Sequence, residues 1–223
     1  MKTTERAGRA VGVLLFVQLV LITAGFILLA PITAPSFLQD AAGMSVQIRT
    51  AVLLLTACGL ITIGIAATGF SVFRQNDPGM ALALLALSAI WFSMQAIDNV
   101  HILSMLSLSQ QHAKAGASGD DALGLVATAM RSTRKFSHCT ALLAIDLWFV
   151  LFFSLLFRLS LIPRVLAAFG ILMAAIHFAG VAAPPFVGYS SVGVFGYSLA
   201  LSYLTIGTWL IWKGFKVRPR EGG

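Results

Sequence analysis

Five ionisable side chains that lie within apolar stretches are the residues with the most informative chemistry. They are two carboxylates and three imidazoles: Asp98, His101, His138, Asp146 and His177. An ionisable group in hydrocarbon is costly unless it is paired, hydrated or neutralised, so each of the five is a candidate functional residue. Carboxylates and imidazoles together can bind a metal ion or haem, or can move protons in acid–base chemistry on a lipophilic molecule.

The spacing of polar residues in the third apolar stretch predicts that two of the five cooperate. Gln95, Asp98, His101 and Met105 follow one another at intervals of three, three and four residues, which places them on one face of a helix. A hydrogen bond from His101 to Asp98 would orient the imidazole and leave its other nitrogen free as base, acid or ligand. We therefore expect Asp98, His101 and Asp146 to be the catalytic residues of an acid–base site.

The same residues are compatible with other roles. The three histidines are the predicted cofactor ligands, and His101, His138, His177 and Asp98 are the predicted ligands of a metal ion. Proton-coupled transport of a small molecule would use these groups as a relay, whereas a structural role would use them only as interhelical hydrogen bonds. No familiar hydrolase, metalloprotease, phosphate-binding or Cys-x-x-Cys motif is present, so the sequence does not decide whether the protein is an enzyme.

The composition requires a membrane around the elements that carry these residues. Of 223 residues, 58% are hydrophobic and only 10% are charged, whereas a soluble domain carries roughly 25% charged residues. This excludes a soluble enzyme core and predicts an all-α, multi-pass protein of the cell membrane, with lipids as partners. The net charge is +7, but no basic stripe is interleaved with exposed aromatic residues, so nucleic acid is not an expected partner.

Six apolar segments are long enough to cross the hydrocarbon core, which takes about 20 residues. They form a single transmembrane domain over 1–223, and their bounds are 11–30, 50–73, 80–108, 136–157, 165–183 and 192–212. The first is interpreted as a retained span because its apolar run exceeds that of a signal peptide. The polar segment 109–135 is expected outside the cytoplasm, with a short separate helix near 121–130.

The distribution of positive charge predicts that both termini are cytoplasmic. One side of the six segments carries 10 Lys and Arg residues and the other carries 5, and the positive side faces the cytoplasm. At a rise of about 1.5 Å per residue, His177 and Asp146 lie roughly 20 and 18 Å from the cytoplasmic ends of their helices. Asp98, His101 and His138 lie nearer the outer ends of their helices. All five are thus expected in the outer half of the bilayer, lining one cavity that is reached from the outer leaflet or from the outer aqueous face.

Several short passages, spread over nearly the whole chain, carry a family resemblance. The most specific are 161–164, Leu-Ile-Pro-Arg, and 213–215, Lys-Gly-Phe; weaker ones are 12–16, 30–35 and 106–110. Together they resemble the bacterial membrane proteins grouped as domain of unknown function 4386. The resemblance implies a six-helix membrane protein and supplies no activity, cofactor or catalytic residue.

Two positions depart from the pattern of that family. Many members carry an acidic residue midway along the third helix and a Gln-Glu pair in the last helix. Here Trp91 and the pair Ser202-Tyr203 stand in those places. The five ionisable residues are therefore expected to be a feature of a subgroup, and no functional residue is carried over from the other members.

Overall fold

The computed structural model describes residues 2–115, 120–190 and 193–216, and these residues form an all-helical protein without strands. The six long helices are α1 (Lys2–Leu28), α2 (Ser45–Arg74), α3 (Pro78–Ala115), α4 (Asp120–Arg158), α5 (Arg164–His177) and α6 (Tyr197–Lys213). Six helical segments are long and apolar enough to cross a membrane. The predicted all-α, multi-pass class is confirmed.

The six helices form a closed ring. Each helix packs against the next along the chain, and α1 also packs against α6. Successive helices run in opposite directions. Both ends of the described chain lie at one end of the bundle, where Gly8 of α1 meets Phe215 after α6, and this end is here called the terminal end. The opposite end is called the far end. Placement of the terminal end in the cytoplasm stays a prediction.

Local sequence signals begin and end these helices. The Asp77 carboxylate accepts a hydrogen bond from the backbone N–H of Met80 at 3.0 Å, and Pro78 opens α3, as expected of an N-cap followed by proline. At the other end of the chain, Gly214 adopts φ +67° and donates its N–H to the carbonyl of Leu210 at 2.8 Å. This left-handed glycine ends α6.

Aromatic side chains of α4 fill the centre of the bundle. Trp148 and Phe152 stack with ring centroids 5.0 Å apart, and Phe149 and Phe153 stack at 5.4 Å. The indole N–H of Trp148 donates to the hydroxyl of Ser88 on α3 at 2.7 Å. A buried tryptophan N–H needs such a partner, so this contact fixes α4 against α3.

The boundaries of α3 and α4 differ from the predicted spans. The third helix continues from 108 to Ala115, and the fourth begins at Asp120 instead of 136. Most of the predicted loop 109–135 is therefore helical, and the separate helix expected near 121–130 is the first part of α4. Hydropathy marks where a chain leaves the hydrocarbon, whereas backbone hydrogen bonds continue through polar residues that favour helix.

The fifth segment also ends differently from the prediction. Its α-helix ends at His177, and a π-helix over Phe178–Ala182 replaces its last part, which was predicted to continue to 183. A short helix, Pro184–Val187, follows. Three predicted features, the start of the sixth segment at 192 and the tail cations Arg218 and Arg220, lie outside the described residues.

Short helices between α1 and α2 cover the far end of α3. They are Ala30–Thr33, Phe37–Asp40 and the 3₁₀ turn Ala41–Met44. The backbone N–H of Ala42 donates to the hydroxyl of Ser109 at 2.9 Å, which ties this cap to α3. The cap forms one wall of a cavity described below.

Candidate functional site

The five predicted residues form two groups at different levels of α4. The first group, called the Asp98 cluster, contains Asp98 and His101 of α3 and His138 of α4. The second, called the Asp146 pair, joins Asp146 of α4 to His177 of α5. His138 and Asp146 are eight residues apart on one helix, which is about 12 Å along its axis. The two groups therefore lie at different depths.

The Asp98 carboxylate is enclosed by donors from α4. The imidazole Nδ1 of His138 lies 3.1 Å from its Oδ2, and the Ser137 hydroxyl donates to its Oδ1 at 3.1 Å. The guanidinium Nε of Arg134 lies 3.5 Å from the same Oδ1, an ion pair without a hydrogen bond. The Asp98 side chain is 1% exposed, so one buried carboxylate holds three groups of the neighbouring helix.

The predicted hydrogen bond between His101 and Asp98 is wrong. The Nδ1 of His101 instead lies 2.9 Å from the Ser137 hydroxyl, which in turn contacts Asp98. Residues three apart on a helix share a face, but here both side chains turn toward α4 and meet a partner there first. Ser137 thus links an imidazole and a carboxylate into a chain. Because its one hydroxyl proton is donated to Asp98, the Nδ1–H of His101 is the donor to the Ser137 oxygen.

The contact within the Asp146 pair is shorter than those of Asp98, and only one of the two Asp146 oxygens has a hydrogen-bond partner among the described residues. The Nδ1 of His177 lies 2.7 Å from Oδ1 of Asp146, and the two side chains are 7% and 2% exposed. Oδ2 of Asp146 is buried and has no hydrogen-bond partner among the described residues. Since buried polar atoms are nearly always hydrogen-bonded, this oxygen marks a place where a partner fits.

Two cavities replace the single cavity that we expected. The first, called the basic cavity, has a volume of about 410 Å³ and lies between the cap helix Ala30–Thr33, α3 and α4, with Arg131, Arg134, Lys135 and His138 in its wall. The second, called the apolar cavity, has a volume of about 570 Å³. Its wall comes from α4, α5 and the segment after α5, and includes Asp146, Leu147, Val150, Phe178, Phe186 and Val187. One member of each ionisable group borders a cavity: His138 lines the basic cavity, and Asp146 lines the apolar cavity.

The predicted metal ligands do not gather in one place. His101, His138 and Asp98 belong to the Asp98 cluster, whereas His177 belongs to the Asp146 pair. Among the described residues, no group of three or more His, Cys, Asp or Glu side chains is placed to hold a metal ion. The geometry therefore gives no support to a metal or haem site, and these roles stay predictions from the sequence.

Two residues that contact the Asp98 cluster are absent from the set predicted from the sequence. Arg134 falls in the predicted loop because hydropathy begins the fourth span at 136, and Ser137 lies inside that span but is not ionisable. Once α4 is continued toward its start, Arg134 lies one turn before His138 and on the same face. The helical spacing of Arg134 and His138 could therefore have indicated that the two residues share a face. The predicted boundary at 136 separated them.

Comparison with known proteins agrees with the resemblance found in the sequence. The family model described as Domain of unknown function (DUF4386) matches residues 10–214, so the chain belongs to this family. No curated protein and no solved structure matches the chain. Since the family description states no activity, the two ionisable groups and their cavities are the basis for a functional argument.

Proposed function

We propose that this member of the family is an integral membrane protein that binds a lipophilic molecule bearing a hydrogen-bond donor, and that the Asp146 pair exchanges a proton with that donor. The observation that carries the proposal is Oδ2 of Asp146. It is buried and has no partner among the described residues, and Asp146 lines a cavity whose other lining residues are all apolar.

The cost of leaving this oxygen alone favours a ligand that supplies a donor. A buried acceptor without a hydrogen bond costs about 1–3 kcal/mol, and more when it is charged. A hydroxyl or amine of a ligand would remove that cost, while its apolar part would contact the leucine, valine and phenylalanine side chains of the wall. A volume of about 570 Å³ also lies within the range of small-molecule sites.

The position of the apolar cavity favours entry from the lipid. Leu147 is 55% exposed, Phe186 49% and Val187 70%, so the wall is open toward the surface of the bundle that faces lipid. Asp146 lies twelve residues from Arg158, or about 18 Å along α4, which is near the middle of the hydrocarbon core. The molecule is therefore a membrane-dissolved amphiphile, such as a long-chain alcohol or amine.

The pairing with His177 supports proton exchange in addition to binding. A carboxylate next to an imidazole shares one proton across the 2.7 Å contact. A ligand ammonium that gives a proton to Oδ2 becomes a neutral amine, and the Asp146–His177 pair takes up the positive charge. A ligand hydroxyl keeps its proton and donates a hydrogen bond to Oδ2. Asp146 contacts the ligand in this scheme, and His177 orients Asp146 and holds the second proton.

Photo-crosslinking in liposomes tests the proposal. The probes are a long-chain alcohol with a diazirine in its chain and the methyl ether of the same alcohol, which lacks the donor. We expect the alcohol to label peptides within 143–150 and 175–187 with an affinity about tenfold or more above that of the ether, because one hydrogen bond to a charged group contributes about 1.5–3 kcal/mol.

Substitutions make the result specific to Asp146. Asp146→Leu should reduce labelling by the alcohol to the level of the ether, whereas the matched change Asp40→Leu, at an exposed carboxylate outside the apolar cavity, should leave it unchanged. His177→Gln keeps a donor beside Asp146 and should retain labelling. Equal labelling by alcohol and ether in the unchanged protein would defeat the proposal.

Proton-coupled transport is the second candidate function. The different depths of the Asp98 cluster and the Asp146 pair favour it. The Asp98 cluster and the Asp146 pair lie about 12 Å apart along α4, so they could serve as successive proton sites. This function predicts that uptake or efflux of the lipophile follows the proton gradient and that Asp146→Asn uncouples the two. Crosslinking without gradient-dependent movement would leave binding and acid–base chemistry as the function.

A further inference from the structure

The basic cavity lies apart from the Asp146 pair, and the proposed function does not use it. Three cations of α4 line it, Arg131, Arg134 and Lys135, and His138 follows one turn after Arg134. These positions lie at i, i+3, i+4 and i+7, so they share one face of the helix. Like charges one turn apart repel each other, so an anion between them would be stabilising.

The protein itself does not neutralise this charge. Asp98 is the carboxylate that contacts the group, and it is already engaged by Arg134, Ser137 and His138. Within the described ranges, Arg131 donates to the backbone carbonyl of Pro35 at 3.3 Å, and neither Arg131 nor Lys135 forms an ion pair. Among the residues that the structure describes, no acidic side chain lines the cavity. At least two positive charges are therefore left for a ligand.

Part of Arg134 and two hydroxyl residues complete the cavity. The Nε of Arg134 faces Asp98 at 3.5 Å, while the side chain is 13% exposed and lines the cavity wall. Thr33 of the cap and Ser132 of α4 also line the wall. Guanidinium, ammonium and hydroxyl groups arranged around one space are the donors that bind phosphate oxygens.

The depth of the cations corresponds to a layer of lipid headgroups. Lys135 and Arg131 lie 23 and 27 residues before Arg158, or about 35 and 40 Å along α4. If Arg158 lies at the edge of the hydrocarbon core at the terminal end, a core of about 30 Å places both cations at the headgroups of the opposite leaflet. An anionic group of the membrane is thus at the same level as the basic cavity.

We propose that the basic cavity binds a phosphate group at the far end of the bundle. In the proposed site, Arg131, Arg134 and Lys135 hold a phosphate group. This phosphate is either the headgroup of an anionic phospholipid or free inorganic phosphate. This site is separate from the proposed lipophile site, so either can be lost without the other.

Binding measurements on the full-length protein in phosphate-free detergent solution test the site. Native mass spectrometry with short-chain phosphatidylglycerol, and with diacylglycerol of the same chains, measures lipid binding, and calorimetry measures inorganic phosphate. Arg131→Gln/Lys135→Gln removes two exposed cations and leaves the Arg134–Asp98 contact in place. Arg49→Gln/Arg74→Gln, at two exposed arginines of α2 outside the cavity, removes the same charge as the matched control.

We expect the Arg131→Gln/Lys135→Gln protein to bind the phosphate ligand about tenfold or more weakly, and the control to change it less than about twofold. Binding of phosphatidylglycerol that inorganic phosphate does not displace identifies a lipid headgroup as the ligand. Saturable binding of inorganic phosphate that displaces the lipid identifies free phosphate. Equal weakening in both variants, or equal binding of diacylglycerol, would overturn the proposal. An unchanged melting temperature in each variant shows that the fold is retained.

Discussion

The two buried carboxylates differ in how completely they are satisfied. Both oxygens of Asp98 contact donors of α4, and the carboxylate is buried. Asp146 has one oxygen bound to His177 and one without a partner among the described residues. Asp98 therefore joins α3 to α4, whereas Asp146 has an acceptor available for a ligand.

These partners could not be derived from the sequence, although the residues themselves could. The cost of ionisable groups in hydrocarbon singles out Asp98, His101, His138, Asp146 and His177 without a structure. Pairing depends on which helix faces which, and on the rotation of each helix about its axis. The sequence pattern determines neither of these, so it does not identify Ser137 as the residue that links His101 to Asp98.

Substitution of one member of the Asp146 pair is predicted to cost more stability than substitution of both. His177→Leu leaves a buried carboxylate without its donor, and breaking such a pair lowers the free energy of unfolding by about 3–5 kcal/mol. Asp146→Leu/His177→Leu replaces both groups by apolar side chains of similar size, and should recover most of that loss. Denaturant unfolding in detergent measures both values. Additive losses in the double variant would contradict this account of the pair.

At the scale of elements, α4 is the helix that contributes side chains to both groups. It carries Arg134, Ser137, His138 and Asp146, and its aromatic residues pack in the centre of the bundle. The existence and order of six membrane helices could be predicted because each apolar run has about the length needed to cross the hydrocarbon core. The extension of α4 to Asp120 could not, because the polarity of the segment 109–135 predicts a separate short helix near 121–130 outside the membrane instead of a continuation of the fourth span.

Labelling of single cysteines is predicted to reveal this helical extension. In a variant whose Cys58 and Cys139 are replaced by alanine, we expect Leu125→Cys to react quickly with a maleimide and Ala127→Cys to react slowly. The reason is exposure: Leu125 is 76% exposed, and Ala127 only 6%, because it packs toward the cap. Similar rates at both positions would indicate an irregular loop.

At the scale of the whole molecule, the two passages that carry the clearest family resemblance meet at the terminal end of the bundle. The backbone N–H of Lys216 donates to the carbonyl of Leu161 at 2.7 Å, so the ending of the chain meets the connector between α4 and α5. Phe215 is 1% exposed, and its ring lies 5.8 Å from that of Phe73. These short passages thus have a packing role.

Phe215→Ala is predicted to destabilise the whole bundle. Removing a fully buried phenylalanine typically costs about 3–5 kcal/mol of unfolding free energy, since it leaves a cavity and exposes the contact with Phe73. Trp212→Ala, three residues earlier at a side chain that is 68% exposed, is the matched control and should have little effect. Thermal unfolding in detergent compares the two. A similar loss in both variants would mean that Phe215 does not stabilise ring closure.

Membrane sidedness is predicted from charge and can be measured on the same cysteine variants. With cytoplasmic termini, Leu125→Cys at the far end should react with a membrane-impermeant maleimide in intact cells. Lys213→Cys at the terminal end should react only after lysis. The reverse pattern would place the basic cavity on the cytoplasmic side and the termini outside.

The central claim is that Oδ2 of Asp146 accepts a hydrogen bond or a proton from a lipophilic ligand in the apolar cavity. The infrared difference spectrum recorded when a long-chain alcohol binds the purified protein observes that carboxyl group directly. We predict a change in a carboxyl stretching band that persists in Asp40→Asn and disappears in Asp146→Asn. Binding of the alcohol with no carboxyl change, or with a change that persists in Asp146→Asn, would contradict the account.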